Sequence, residues 1–341
     1  MKVILPAEWE PQDVVQLSWP RRNSDWSLSY NDAQLCFAAI TKAIIRFQKV
    51  FIVSEDQEAT ARFFSNVELN KIKIISLEHN DSWARDHGGI TVEIDGKFEV
   101  QDYYFNGWGS KFVSGLDNQL TKKLFKQNIF SAFYKDNLNF VLEGGAIESD
   151  GKGTLLTTKK CLLNSNRNPN LSEGEIEEIL RQELGFDRFL WLENGDLEGD
   201  DTDAHIDTLA RFCSENTIAY VQCTDQSDTH FEELNKMESE LKNFTDRTGK
   251  AYNLIPLPMP TPQLAIEGNY RLPATYANFL IINGAVLLPI YNCKEDDIAV
   301  EQLKKTFPDR EIIPINCVPL IQQHGSLHCV TMQYPKGSYK S

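Results

Sequence analysis

Asp86-His87-Gly88-Gly89, then Ile90-Thr91-Val92-Glu93-Ile94, Asp95-Gly96 and Lys97-Phe98-Glu99-Val100-Gln101-Asp102-Tyr103-Tyr104, spells out one unit: an acid, a short strand, a two-residue turn and a second strand. Asp-Gly tolerates the positive φ of a tight hairpin turn, so 90–94 and 98–104 are predicted to pair across it. The same grammar returns further along. Segments 146–148 and 154–158 flank Asp150-Gly151, segments 208–212 and 217–222 flank Ser214-Glu215-Asn216, and a fourth hairpin turns at Asn283-Gly284. Helical periodicity marks 31–47, 117–126, 172–183, 228–246 and 297–306, with Leu35, Ala38, Ala39, Ala43 and Phe47 expected on the apolar face of the first. Further strands are expected at 50–53, 72–77, 140–142, 279–282 and 286–289. Short strands alternating with helices, with no linker and no low-complexity segment, indicate an α/β fold in one architecture over residues 1–341.

The phase of the repeat locates the chemistry. Asp86, Glu143 and Asp207 each stand just before the first strand of a hairpin, and Cys329 holds the same place before Val330-Thr331-Met332-Gln333. Equivalent units packed about a common axis bring equivalent positions together. Taken singly, each acid reads as a turn or cap residue; recurrence at one phase favours a shared pocket. Desolvated like charges repel, so such a cluster demands a cation, either a metal or the substrate. His324, His328 and Cys329 offer metal ligands, but Gly325 spoils the helical spacing a histidine pair needs. A planar guanidinium suits the acids better, because its forked donors pair bidentately with carboxylates. A thiolate can attack its electron-poor carbon and later depart, which makes Cys329 the candidate nucleophile. His205 is the candidate proton carrier. His79, His87 and His230 are expected at the surface or in turns, His324 and His328 about the Cys329 loop, and the other six cysteines in the core as free thiols.

Composition bounds the rest. A net charge of -15 argues against nucleic acid, and it suits solubility first and attraction of a cationic substrate second. Pro6, Glu8 and Glu10 interrupt the N-terminal apolar residues before a secretory signal could develop, and no stretch reaches a membrane-spanning length. Seven singly spaced cysteines point to the cytoplasm.

The chain resembles the agmatine deiminase family, which belongs with the bacterial-type peptidylarginine deiminases in the pentein superfamily. The likeness runs through 5–12, Leu17-Ser18-Trp19-Pro20, 80–86, Phe105-Asn106-Gly107-Trp108-Gly109, 142–146, 151–154, 162–169, 201–207, 276–280 and 327–331. It implies a five-bladed, pseudo-five-fold α/β propeller. It further implies that Cys329 forms a covalent intermediate, His205 handles protons, Glu143 binds the guanidinium and His205, and Asp86 with Asp207 holds the guanidinium nitrogens. The implied reaction converts agmatine and water to N-carbamoylputrescine and ammonia, with neither metal nor organic cofactor. Trp83 and Trp108 are candidates to flank the substrate tail, ordinary core aromatics being the competing reading. This sequence departs from the family pattern at Trp9, at Ala204, and in Gln322-Gln323-His324-Gly325-Ser326 before the cysteine. A deiminase of free or peptidyl arginine would share the same residues, and a propeller serving only as a binding scaffold would not need thiol, acids and His205 together. A homo-oligomer is compatible with all of this, the residues alone leaving the oligomeric state open.

Overall fold

The structure, a computed structural model, describes residues 2–340; Met1 and Ser341, the ends of the expected 1–341 domain, lie outside the described residues. It is a mixed α/β fold of five small sheets, each built on one plan: an antiparallel pair and a third strand added in parallel. Ile90–Ile94 pairs antiparallel with Lys97–Tyr104, which receives Phe133–Val141 in parallel. Glu148–Ser149, Thr154–Thr158 and Arg188–Leu192 repeat the pattern, as do Ala210–Ser214, Thr217–Gln222 and Asn253–Pro258. Leu280–Ile282, Ala285–Ile290 and Glu311–Asn316 form the next. A parallel third strand requires a crossover, and the helices Glu173–Leu184, Phe231–Asn243 and Glu295–Thr306 supply it in these last three sheets. Ser172 opens the first of them with a reciprocal capping box to Glu175.

The fifth sheet joins the two ends of the chain: Thr331–Pro335 lies antiparallel to Gln12–Ser18, which continues in parallel to Lys49–Ser54 and Ile72–Ser76. Sequence reading placed a strand after Cys329 but found it no partner, because the partner lies more than 300 residues away. Val50, Phe51, Ile52 and Val53 are wholly buried, as a parallel strand covered on both faces must be.

Several expectations need correction. The helix Tyr30–Ile44 buries Phe37, Ile40 and Ile44, whereas Leu35 is 60% exposed and Ala39 also faces solvent. Two apolar stripes overlap in this helix; the bulkier one wins the core because it removes more apolar surface from water. Ala146 and Thr208 belong to single 3-10 turns, Gly144–Ala146 and Ile206–Thr208, and not to strands. At Asp95-Gly96 both residues are left-handed (φ 48° and 81°), while at Asn283-Gly284 only Gly284 is (φ 72°). Among the described residues no helix is long and apolar enough to cross a membrane.

Candidate active site

Four of the expected site residues sit on one-turn segments just ahead of a first strand. Asp86 lies in the helix Ala84–His87, Glu143 caps Gly144–Ala146, Asp207 is inside Ile206–Thr208, and Cys329 is in the turn before Thr331–Pro335. The backbone N–H of Arg85 donates to the Cys329 carbonyl (3.1 Å), tying two of these turns together. All five expected catalytic residues, His205 included, are buried.

Asp86 is gripped on both oxygens. Oδ1 accepts from the Gly145 N–H (3.0 Å) and lies 3.6 Å from His205 Nδ1; Oδ2 accepts from Trp108 Nε1 (3.0 Å). Position 145 must be glycine for this approach, because a Cβ would stand 2.6 Å from His205 Nδ1 and 2.8 Å from Asp86 Oδ1. Gly325 serves the opposite wall in the same way, since a Cβ there would meet the Trp83 ring at 2.2 Å. Trp83 and Trp108 are buried, yet both line the opening that leads to Asp86 and Cys329. Trp108 takes a left-handed backbone (φ 54°, ψ 48°), a strained conformation that aims its indole N–H at Asp86.

Cys329 Sγ stands 4.0 Å from Asp207 Oδ2 and 3.3 Å from Asn278 Oδ1. Asn278 precedes the first strand of the remaining sheet, so it is the fifth member of the positional set. The Asn283-Gly284 turn pointed to it, but a search for acids and nucleophiles passes over an amide. Its Oδ1 also accepts from the His328 N–H (2.9 Å), and its Nδ2 donates to the Asp207 carbonyl (3.2 Å).

Arg167 was also missed as a site residue. Its Nε donates to Glu143 Oε1 (2.6 Å), and its other nitrogens reach Asp203 Oδ2 (2.8 Å) and the Thr202 carbonyl (3.0 Å). Asp207 Oδ2 lies 2.6 Å from His328 Nδ1. The expectation that three acids share one external cation is therefore corrected: Glu143 and Asp207 have basic partners inside the protein, and Asp86 has none beyond His205.

Burial and these partners set the protonation states. Burial, aided by Asp207 and Glu143, raises Asp86 well above the ordinary carboxylate range. Burial also raises Glu143, with Arg167 opposing. For Asp207 the burial penalty is outweighed by the His328 hydrogen bond and charge, and it titrates below its usual value. Burial, then the charges of Asp207 and Asp86, push the Cys329 thiol well up. Burial pushes His205 down to about 3. The resting site thus holds a thiol and a neutral imidazole. On the five expected catalytic residues, the buried polar atoms with no protein partner are Glu143 Oε2, Asp207 Oδ1 and His205 Nε2.

Of the other histidines, His230 lies in a turn as expected, though buried, whereas His79 and His87 are buried and lie neither at the surface nor in a turn; burial holds His87 neutral, down to about 3. His324 Nδ1 faces the Gly199 carbonyl (2.7 Å) and its ring stacks on Tyr270, so His324, His328 and Cys329 make no ligand set. Glu143, Cys161 and His205 do bring ligand atoms within 4.8 Å of one another. That donor set fits a dication poorly, because the Arg167 guanidinium already holds Glu143 and burial keeps the Cys161 thiol protonated.

Residues 4–335 match the family described as Porphyromonas-type peptidyl-arginine deiminase. A structure from Porphyromonas gingivalis, provisionally assigned as an arginine deiminase, is 47% identical and superposes with a TM-score of 0.96 over 99% of this chain and 100% of that one. A cysteine-to-serine variant of C. jejuni agmatine deiminase with substrate bound is 39% identical, TM-score 0.91, over 98% and 97% of the two chains. Agmatine deiminase of Pseudomonas aeruginosa is 34% identical over 97% of this chain and 95% of its own. With the family match spanning nearly the whole chain, this protein belongs to the Porphyromonas-type peptidyl-arginine deiminase family.

Proposed function

We propose that this protein is an agmatine deiminase acting through Cys329. The observation that carries the reading is the set of orphaned buried polar atoms Glu143 Oε2, Asp207 Oδ1 and His205 Nε2, in a site that also holds the Asp86 carboxyl and the Cys329 thiol. Buried polar atoms without partners are rare, and a planar group with several donors satisfies them together. In this reading Asp86 and Asp207 clamp the guanidinium, and its charge draws Asp86 into the ionised form and Cys329 toward the thiolate. Sulfur attacks the central carbon, and the thiol proton, carried by His205, leaves with ammonia. Water activated by His205 then attacks the thiouronium carbon, carbamoylputrescine departs, and the thiol is restored with release of one proton. Glu143, steadied by Arg167, holds the guanidinium and orients His205. The five sheets, with their matching strand order, are read as the blades of one pentein propeller domain. Seven free cysteines favour a reducing, cytoplasmic setting.

At the opening Asp25, Asp81 and Asp201 join Trp83 and Trp108, and among the described residues no lysine or arginine lines the wall. That wall suits the second cation of agmatine and opposes the carboxylate of arginine. Ammonia release from agmatine should exceed that from arginine or a C-terminal arginyl peptide by about 100-fold or more; the reverse ranking would overturn the assignment. Burial raises Asp201 to about 6 and Asp81 to about 7. These acids gain charge as pH rises through that window, so KM for agmatine should fall between about pH 5 and 8 more than KM for an uncharged-tail alkylguanidine. Parallel profiles for the two substrates would remove the acids from tail binding.

The resting thiol makes a further difference measurable. Near pH 7, a cationic amidine alkylator such as chloroacetamidine should label Cys329 roughly 100-fold faster than neutral chloroacetamide does, because only the amidine brings the charge that ionises sulfur. Equal rates would mean that the thiolate exists before the substrate arrives.

A further inference from the structure

Behind the site lies a second, separate layer of charge. Backbone neighbours Arg85 and Asp86, Gly144 and Glu143, and His328 and Cys329 put one member of each pair in the active site and the other against a rear cleft that Glu8 and Glu148 also line. His328, 1% exposed, bridges the two layers. Its Nδ1 is 2.6 Å from Asp207 Oδ2, while its Nε2 is 2.7 Å from Glu8 Oε2 and 3.1 Å from an Arg211 guanidinium nitrogen. A guanidinium can only donate and an ionised carboxylate can only accept, so the proton on Nε2 decides which of them His328 serves.

Charge balance makes the choice. The groups facing His328 are Glu8 from the N-terminal segment, Asp207 from its turn, Arg211 from Ala210–Ser214, Glu148 bonded to Arg211, and Arg85 from Ala84–His87, 3.6 Å from Glu8. Three carboxylates then stand against two guanidinium groups, all buried. With Glu148 ionised in its pair with Arg211, which opposes the upward push of burial on that carboxyl, an imidazolium completes neutrality and a neutral ring leaves one buried negative charge uncompensated. The Glu8 contact is the shorter of the two, as a charge-assisted bond should be.

We propose that His328 is a positioning residue, an imidazolium anchored by Glu8 that holds Asp207 ionised and aims its free Oδ1 at the guanidinium. This rests on the clamp reading of the site. It also gives a use to the Leu5–Gln12 segment, whose Glu8 lies outside the catalytic set. The lowered titration of Asp207 agrees with it.

The test compares wild type, His328→Gln and Asp207→Asn in purified full-length enzyme. Glutamine can still donate one hydrogen bond to Asp207 but carries no charge. With agmatine, His328→Gln should raise KM by about tenfold or more, lower kcat less, and regain part of kcat/KM as pH is raised, because Asp207 without its cation ionises only at higher pH. A folded His328→Gln enzyme with wild-type KM and pH profile would overturn the proposal. If Asp207→Asn itself leaves KM unchanged, the clamp reading fails instead. Should His328→Gln not fold, nitrogen NMR of the wild-type enzyme decides: a buried histidine ring protonated on both nitrogens near pH 7 supports the proposal, and its absence overturns it.

Discussion

Cys329→Ser should fold like the parent and lose turnover of agmatine by at least about 10⁴-fold. The swap changes little in volume, and a serine hydroxyl can still donate to Asn278 Oδ1, where the thiol now stands at 3.3 Å. Folding should therefore be spared. The chemistry should not be, because an alkoxide is far harder to generate than a thiolate in a site whose carboxylates already oppose ionisation of sulfur. Steady-state ammonia release checks the loss. A thermal melt within about 3 °C of the parent checks the fold. Agmatine should still bind the variant, since the clamp formed by Asp86 and Asp207 is intact, and calorimetry reads that directly. Residual turnover within about tenfold of wild type would remove Cys329 from its role.

His205→Gln should lower kcat by about 10³-fold or more, because one side chain is asked to serve both half-reactions, and each proton transfer is worth about 10²- to 10⁴-fold. Its burial keeps it neutral, titrating at about 3, so the resting ring is free to take the thiol proton. Raising pH should not restore the variant, for Asp207, the carboxylate 4.0 Å from the thiol, is engaged by His328 and titrates too low to serve as the base. The first half-reaction can be isolated with an S-methylisothiourea analogue of agmatine, whose methanethiolate needs less help from a proton on departure. This analogue should still form the covalent adduct in His205→Gln, seen by mass spectrometry of the intact chain, while hydrolysis of the adduct remains slow. An adduct from neither compound would place His205 in thiol activation alone, and wild-type turnover would remove it from the chemistry.

Much of the site was legible because strand entrances recur. Asp86, Glu143, Asp207 and Cys329 each precede a short strand, and the structure places all of them on single turns around one buried centre. Asn278 was equally visible in phase and was passed over for its chemistry. Arg167 and Glu8 were not visible in this sense. Neither stands at a strand entrance, and each matters only through a partner far along the chain, Arg167 through Glu143 and Glu8 through His328 and Arg211. The error over His79 and His87 has the same origin: a polar residue between elements looks superficial until packing shows what covers it.

Alternation of apolar residues and the Asp-Gly and Asn-Gly turns determined the hairpins, and with them the α/β class and the phase of the candidate site, because pleat and turn act between neighbours in the chain. Tertiary structure alone decided the fifth sheet, which pairs 331–335 with 12–18, and the face of the helix Tyr30–Ile44 that goes inward. It also decided the direction of each titration: burial and neighbouring acids push Asp86 and Cys329 up, and the His328 hydrogen bond and charge bring Asp207 down. Those outcomes depend on burial and on charges brought together across the fold, and Coulomb energy follows distance in space, not separation along the chain.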